Sequence, residues 1–192
     1  MKLIKPSFEI LEQLPGLEGV YKQIELAGRT CYKSEDKITE DSAKEFVDRM
    51  IKSGHGAMLE HGTVYLTIPF IYAEAPHTAE HAYEYSTNKY SVVNVGEGVI
   101  YVTTNFRVLV ENNWLDDLKY LCEPTEHHEK RVSVMVTCAI GISREFNRHR
   151  TFSVSEQSTR YCNYSKSKFG VEITYVIPSW ATNLSPEYND LE

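Results

Sequence analysis

Stretches of alternating apolar and polar residues constrain the fold of this chain most strongly. Residues 62–70 (GTVYLTIPF) alternate as a half-buried strand does. Residues 91–110 contain two such runs around the turn Gly96-Glu97-Gly98, and this pattern predicts a β-hairpin. Residues 2–11 alternate in the same way and suit an edge strand.

Two helices are predicted in the first third of the chain from the spacing of its apolar residues. The first predicted helix begins at Pro15-Gly16 and repeats Leu17, Val20, Tyr21 and Ile24. The second has Thr39 or Asp41 as its N-cap, Gly54 as its end, and one apolar face made of Ile38, Phe46, Val47, Met50 and Ile51.

The second half of the chain carries weaker signals. Residues 73–90 predict either a helix or a structured loop. Residues 132–138 predict a strand with Val132, Val134 and Val136 facing one way, and a short helix follows at about 141–149. Because we find no internal repeat and no low-complexity linker, we predict one α+β domain over residues 1–192, with a mostly antiparallel sheet flanked by helices.

Charge and cysteine spacing exclude several classes of protein. The formal net charge is −7 and the isoelectric point about 5.5, whereas proteins of duplex DNA or anionic membranes usually carry a basic surplus. The four cysteines have no CxxC spacing and indicate reduced thiols. We find no signal peptide and no apolar run of the roughly 20 residues that a membrane-spanning helix needs. We therefore expect a cytoplasmic protein that binds neither nucleic acid nor membrane.

The densest polar segment is residues 148–160, RHRTFSVSEQSTR. Its arginines can pair bidentately with phosphate, its serines can donate hydroxyls, and Glu156 can accept from a ring N–H or a sugar hydroxyl. We expected the strand and helix before it, each with an apolar face, to anchor it to the core. The segment suits a nucleotide better than it suits a solvated turn or an RNA-binding patch, because the net charge opposes RNA binding.

This segment resembles the RHR-x7-S signature of flavin-dependent thymidylate synthases, through Arg148, His149, Arg150 and Ser158. Further segments resemble the same family in the same order: Ala27-Gly28-Arg29-Thr30-Cys31, a GH-x4-EH pattern over Gly54–His61, Arg160-Tyr161 and Ile177-Pro178-Ser179.

The resemblance implies the fold of that family and the methylation of dUMP to dTMP. Methylenetetrahydrofolate would give the carbon, FAD would carry hydride from NADPH, and the enzyme would be a homotetramer with shared active sites. Arg148 and His61 would form the catalytic environment of uracil and flavin, without a covalent nucleophile. The cofactor would contact His61, Arg148, His149, Arg150 and Glu156, and dUMP would contact Glu145, Arg148, Glu156, Gln157, Ser158, Thr159 and Arg160.

The chain departs from the family pattern in three ways. The long interval between His61 and Arg148 indicates an insertion over about 73–128. Glu145 stands where the family often has Gln, and Ser155 stands where it often has Asn. The sequence ends at Glu192, so we expect the family's C-terminal helices, with their late arginine, to be absent.

Two other functions remain open from the sequence. His77, Glu80 and His81 fit the inverted H-x-x-E-H motif of a zinc metallohydrolase. The 13 tyrosines suit base stacking in a nucleotide- or nucleic-acid-binding module without catalysis. The sequence has no GxGxxG after a strand, so the assignment of FAD follows from the family resemblance alone.

Overall fold

The computed structural model describes residues 2–69, 76–149, 151–158 and 174–178, and it confirms the α+β class. The strands are β1 Lys2–Ile4, β2 Ser7–Leu11, β3 Thr63–Pro69, β4 Val92–Gly96, β5 Val99–Asn105, β6 Ser133–Thr137 and β7 Thr174–Val176. The helices are α1 Gly16–Tyr32, α2 Ser42–Lys52, α3 Gly56–Leu59, α4 Pro76–Thr87, α5 Phe106–Asn112 and α6 Ile140–Phe146, with 3-10 helices at Glu35–Lys37 and Leu115–Tyr120.

The predicted strand at 62–70 and the predicted hairpin form one antiparallel sheet in the order β3-β5-β4. Leu66 lies opposite Val102, and both are fully buried. The hairpin turns through Glu97-Gly98, and Gly98 has a φ of 68°, a left-handed conformation that glycine adopts without a steric penalty. The predicted hairpin is therefore confirmed as far as residue 105.

Residues 106–112 form a helix, so the prediction that the second hairpin strand continues to residue 110 is wrong. The Asn105 side chain accepts a hydrogen bond from the backbone N–H of Val108 at 3.1 Å, as an N-cap does. The capped helix α5 buries Phe106, Val108 and Leu109.

Helices α1 and α2 pack together and supply Val20, Ile24, Phe46, Val47 and Met50 to the buried core. The prediction for α1 is confirmed, and Val20 and Ile24 are its most buried apolar residues. For α2 the predicted apolar face is confirmed except at Ile38, which lies before the helix and is exposed. Asp41 occupies the N-cap without a side-chain bond, whereas Ser42 Oγ accepts from the backbone N–H of Thr39 at 2.9 Å.

The two remaining strand pairs lie outside the main sheet. Strand β1 pairs in parallel with β7, and β2 pairs antiparallel with β6. The single edge strand predicted over 2–11 is therefore two strands, because Lys5 and Pro6 separate them and proline lacks the N–H that a ladder needs.

The apolar face of β6 is exposed. Val132, Val134 and Val136 lie on one side as predicted, but they are 66%, 48% and 44% exposed. Helix α6 has no buried residue either. The expectation that these two elements anchor the arginine-rich segment to the core is therefore wrong, and the segment must be held by other contacts.

Candidate functional site

Three serines fasten the loop 151–158 to helices α1 and α3. Ser155 Oγ donates to the carbonyl oxygen of Ala27 at 2.7 Å and lies 3.7 Å from Met58 Sδ. The backbone N–H of Ser158 donates to the carbonyl oxygen of Cys31 at 2.9 Å. Ser153 Oγ donates to Glu60. The structure therefore brings together three segments that are far apart in sequence.

Glu60 lies at the centre of this junction. One carboxylate oxygen accepts from Arg107 Nη1 at 2.5 Å, and the other accepts from Ser153. The Glu60 side chain is only 14% exposed, so its charge depends on these donors in place of water. Arg107 also binds Glu111 one helical turn away, with Nε 2.6 Å from Oε1.

Glu156 joins the loop to helix α6. Its Oε1 accepts from Ser143 Oγ at 2.5 Å, and its Oε2 accepts from Asn147 Nδ2 at 2.7 Å. Burial, together with the negative charge of Glu156, raises the pKa of the Cys138 thiol. A raised pKa disfavours the thiolate, so this cysteine is poorly suited to nucleophilic attack.

Arg148 and His149 extend into solvent at the end of α6. Arg148 Nη1 lies 3.2 Å from Glu145 Oε2, and the two side chains are 77% and 63% exposed. The His149 and Phe152 rings are stacked, with centroids 6.0 Å apart and an interplanar angle of 20°. This surface offers an exposed positive charge next in sequence to a stacked aromatic pair.

His61 is held in a drier environment than Arg148. Burial lowers the pKa of its imidazole, although the neighbouring charge of Glu60 opposes this shift. Its Nε2 is buried and has no hydrogen-bond partner among the described residues. A buried polar atom without a partner is unfavourable by about 1–3 kcal/mol, so such an atom is a candidate contact for a ligand.

Of the predicted site residues, His61 follows the end of α3, Glu145, Arg148 and His149 lie at or just after the end of α6, and Glu156, Gln157 and Ser158 lie in the loop. The loop contacts α6 through Glu156 and the end of α3 through Ser153. The remaining site residues of the sequence prediction, Arg150, Thr159 and Arg160, lie outside the described residues, as do Tyr161, Cys162 and Ser179.

The sequence interpretation missed Glu60, Arg107 and Ser153. Glu60 belongs to the GH-x4-EH pattern, but only its neighbour His61 was assigned a role. Ser153 lies inside the arginine-rich segment, and its place there is the sequence signal that points to it. Arg107 carries no sequence signal, since its partner Glu60 is 47 residues away.

His81, one residue of the possible zinc motif, has both ring nitrogens engaged. Nε2 lies 2.5 Å from Asp117 Oδ2, and Nδ1 lies 2.9 Å from Glu84 Oε2. A carboxylate accepts hydrogen bonds, so both contacts need a ring N–H, and a protonated ring nitrogen has no lone pair with which to bind a metal. Within the described ranges, no group of three or more His, Cys, Asp or Glu side chains is arranged to hold a metal ion.

In the part of the chain that the structure describes, no helix is long and apolar enough to cross a bilayer. No curated protein matched the chain in the comparison, and no solved structure did. A family model did match: residues 122–192 fit the family Thy1, described as thymidylate synthase complementing protein. The matched range contains β6, α6 and the arginine-rich loop, but it does not contain His61 or Glu60. Over residues 122–192, the chain is therefore similar to the thymidylate synthase complementing protein family.

Proposed function

We propose that this protein is a flavin-dependent thymidylate synthase that methylates dUMP to dTMP. Methylenetetrahydrofolate is the one-carbon donor, and NADPH is the source of the hydride that FAD carries. The observation that carries the proposal is the convergence of the Ala27–Cys31, Glu60-His61 and 151–158 segments through three serine hydrogen bonds. These are the segments in which the sequence resembles such enzymes, and the family match covers the last of them.

The exposed residues fit the chemistry of FAD. A flavin dinucleotide combines a diphosphate with planar rings, and it needs cationic donors beside apolar or aromatic surfaces. The Arg148 guanidinium offers the first, and the stacked His149 and Phe152 rings offer the second. The buried Nε2 of His61 provides a polar atom that still has hydrogen-bonding capacity.

Each site residue then has a role in binding or orientation. FAD supplies the hydride when bound, and the residues that hold it are His61, Arg148, His149, Arg150 and Glu156. The residues that hold dUMP are Glu145, Arg148, Glu156, Gln157, Ser158, Thr159 and Arg160. The positive charge of Arg148 beside the uracil favours its N3-deprotonated form, which is the more nucleophilic one.

The contact between Glu145 and Arg148 is compatible with this assignment. An exposed ion pair contributes about 0–1 kcal/mol, so a phosphate group can displace the carboxylate at little cost. In the absence of ligand, Glu145 therefore pairs with the Arg148 guanidinium, and a bound phosphate group replaces it. Glu156 can bind a ligand in its observed position, because each carboxylate oxygen accepts more than one hydrogen bond.

The exposed apolar face of the β2–β6 pair supports the proposed homotetramer. Phe8 is 74% exposed and Ile10 61%, and the valines of β6 and the isoleucines of α6 extend the same apolar character. An isolated two-stranded sheet is marginally stable in water, so it gains most from being covered. We propose that other copies of this chain cover it.

The proposed compartment is the cytoplasm. Cys31, Cys122 and Cys138 form no disulfide within the described residues, and thiols stay reduced in that compartment.

The first experiment is an absorbance spectrum of the purified protein with added FAD, followed by a titration with dUMP. We expect a bound-flavin spectrum that dUMP perturbs. Arg148→Met should weaken both ligands by tenfold or more, which corresponds to the loss of one charge-assisted hydrogen bond at about 1.5–3 kcal/mol. Arg144→Met is the matched control, since Arg144 is an exposed arginine of α6, four residues before Arg148, that is not assigned to the site.

Three results would speak against the proposal. The first is a protein that binds neither FAD nor dUMP, and the second is an equal effect of the two arginine variants. The third is stoichiometric zinc in metal analysis, which would favour the hydrolase alternative.

A further inference from the structure

Arg107 reaches the loop of the proposed site only through Glu60. It lies on α5, within the 73–128 segment that the sequence identified as an insertion. Its Nη1 donates to Glu60 at 2.5 Å, and the other oxygen of Glu60 accepts from Ser153 in the loop. The three side chains form one continuous chain of hydrogen bonds from the insertion to the loop.

Helix α5 is a rigid base for this chain of contacts. Its residues Phe106, Val108 and Leu109 are at most 2% exposed, and the Asn105 side chain caps its N-terminus. Arg107 also packs closely over the backbone of Gly56, where a Cβ atom would lie 2.9 Å from Arg107 Nε. The position of the guanidinium is therefore set by the core and by α3.

Glu60 needs this guanidinium. The Glu60 carboxylate is largely removed from water, and such burial destabilises the folded state unless the charge is paired with a cation or with several donors. Without Arg107, Glu60 would keep only the Ser153 hydroxyl of its two described side-chain donors, and its carboxylate would turn toward solvent. The loop would then lose its contact with Glu60 at the end of α3.

We propose that Arg107 is a positioning residue for the nucleotide-binding loop, and that the insertion acts on the proposed site through the Arg107–Glu60–Ser153 relay. The inference deepens the proposed thymidylate synthase function and rests on it for the identity of the ligand. Within the described residues, the Arg107 side chain bonds to Glu60 and Glu111 and not to the loop. It fixes Glu60, Glu60 holds Ser153, and the loop presents Gln157 and Ser158.

The relay is tested first without any ligand, so that its failure is separate from a failure of the proposed function. The probe is hydrogen exchange of the Ser158 backbone N–H, which is bonded to Cys31 in the folded loop. Arg107→Met should raise its exchange rate about tenfold relative to the wild type, because the loop opens more often. Arg107→Lys, which keeps the charge, should restore part of the protection.

Glu111→Gln is the matched control. Glu111 is the other carboxylate on Arg107, but it is not bonded to residues 151–158 of the loop. This variant should exchange at Ser158 as the wild type does. Equal exchange in Arg107→Met and the wild type, or an equal rise in Glu111→Gln, would overturn the relay whether or not dUMP binds. If Arg107→Met does not fold, the exchange of the Ser158 N–H is compared in Arg107→Lys and Glu111→Gln. Faster exchange in Arg107→Lys supports the relay, and equal exchange overturns it.

The consequence for the ligand is measured in the FAD-supplemented full-length protein by calorimetric titration with dUMP. Arg107→Met and Ser153→Ala should each weaken dUMP binding about tenfold, and the double variant should be no weaker than either one, because both break the same relay. Effects that multiply in the double variant would contradict it. A wild type that binds no dUMP would refute the proposed function and leave the exchange result to judge the relay.

Discussion

The backbone N–H of Ser158 lies 2.9 Å from the carbonyl oxygen of Cys31, so the last residue of the RHR-x7-S signature is tied to the end of the first long helix. Cys31 belongs to the last turn of α1, where carbonyl oxygens have no partner within the helix. The loop thus satisfies a helix terminus, and in return the helix fixes the position of the serine. Ala27, one turn earlier in α1, also fixes a serine of the loop, because its carbonyl oxygen accepts from Ser155 Oγ.

Removal of the Ser155 hydroxyl should therefore loosen the loop. In Ser155→Ala, the Ala27 carbonyl loses a donor at 2.7 Å, and the free energy of unfolding should fall by about 1 kcal/mol. Urea denaturation measures this change. The control is Ser86→Ala, where the lost bond, to the carbonyl of Tyr83, is exposed and local. If both substitutions have the same effect, the contact with α1 does not hold the loop.

The packing of α1 on α2 should reject a single methyl group at Gly28. An ideal Cβ there lies 2.4 Å from Cζ of Phe46, which is itself buried. Overpacking of this kind is destabilising by about 1–3 kcal/mol and should outweigh the gain of about 0.5–1 kcal/mol from replacing a helical glycine. We expect Gly28→Ala to lower the urea midpoint.

Gly141→Ala is the matched control for that substitution. Gly141 is also helical, but among the described residues no atom outside its own helical turn lies within 4 Å of its added Cβ. The control should leave the urea midpoint unchanged or raise it slightly. A Gly28→Ala protein as stable as Gly141→Ala would show that the Phe46 ring can move aside.

Much of the fold follows from periodicity alone, and the failures have local causes. The pattern of residues 91–110 predicted the hairpin correctly, but apolar residues at 106, 108 and 110 suit a strand and a short helix alike. The Asn105 cap decides between them, and a cap has a weaker sequence signal than alternation does. The same limit applies to residues 73–90, where α4 forms without a firm apolar period.

The candidate site was predicted in composition but not in its support. Alternation shows that the valines of β6 share a face, but it does not tell whether the same chain covers that face. The contacts of Glu60 join residues 47 and 93 positions apart, and no local pattern reports such a pairing. The residue types therefore predicted the chemistry of the loop, whereas its anchoring depends on tertiary structure.

His81 should stabilise the protein most at low pH and lose this effect as the pH rises. Burial by itself lowers the pKa of His81, but its hydrogen bonds and charge interactions with Glu84 and Asp117 outweigh burial, so the pKa is raised. The protonated form then stabilises the folded state fully below the unfolded-state pKa of about 6.5. This contribution is lost as the pH rises through the higher pKa of the folded state.

The comparison is the free energy of unfolding of the wild type and of His81→Gln between pH 6 and pH 9. The difference between them should shrink as the pH rises, by at most about 1.4 kcal/mol per pH unit. His127→Gln is the control, because His127 is exposed and lies 3.7 Å from Glu126. A difference that stays constant with pH would show that folding does not shift the pKa of His81.

His61 should show the opposite dependence on pH. Burial lowers the pKa of its imidazole, and the charge of Glu60 opposes the shift only in part. The unfolded chain therefore binds the proton more tightly than the folded protein does. The contribution of His61 to stability is complete above the unfolded pKa of about 6.5, and it is lost as the pH falls through and below that value.

An NMR titration of the histidine ring signals, assigned with His61→Asn, measures this property directly. The His61 signal should titrate below pH 6.5, while the His81 signal titrates above it. A His61 signal that titrates above pH 6.5 would mean that Glu60 outweighs burial and that the residue is a cation at neutral pH. The expected result leaves a neutral imidazole beside the proposed flavin, with the unpaired Nε2 able to accept or donate one hydrogen bond, and it leaves the positive charge of the site to the arginines.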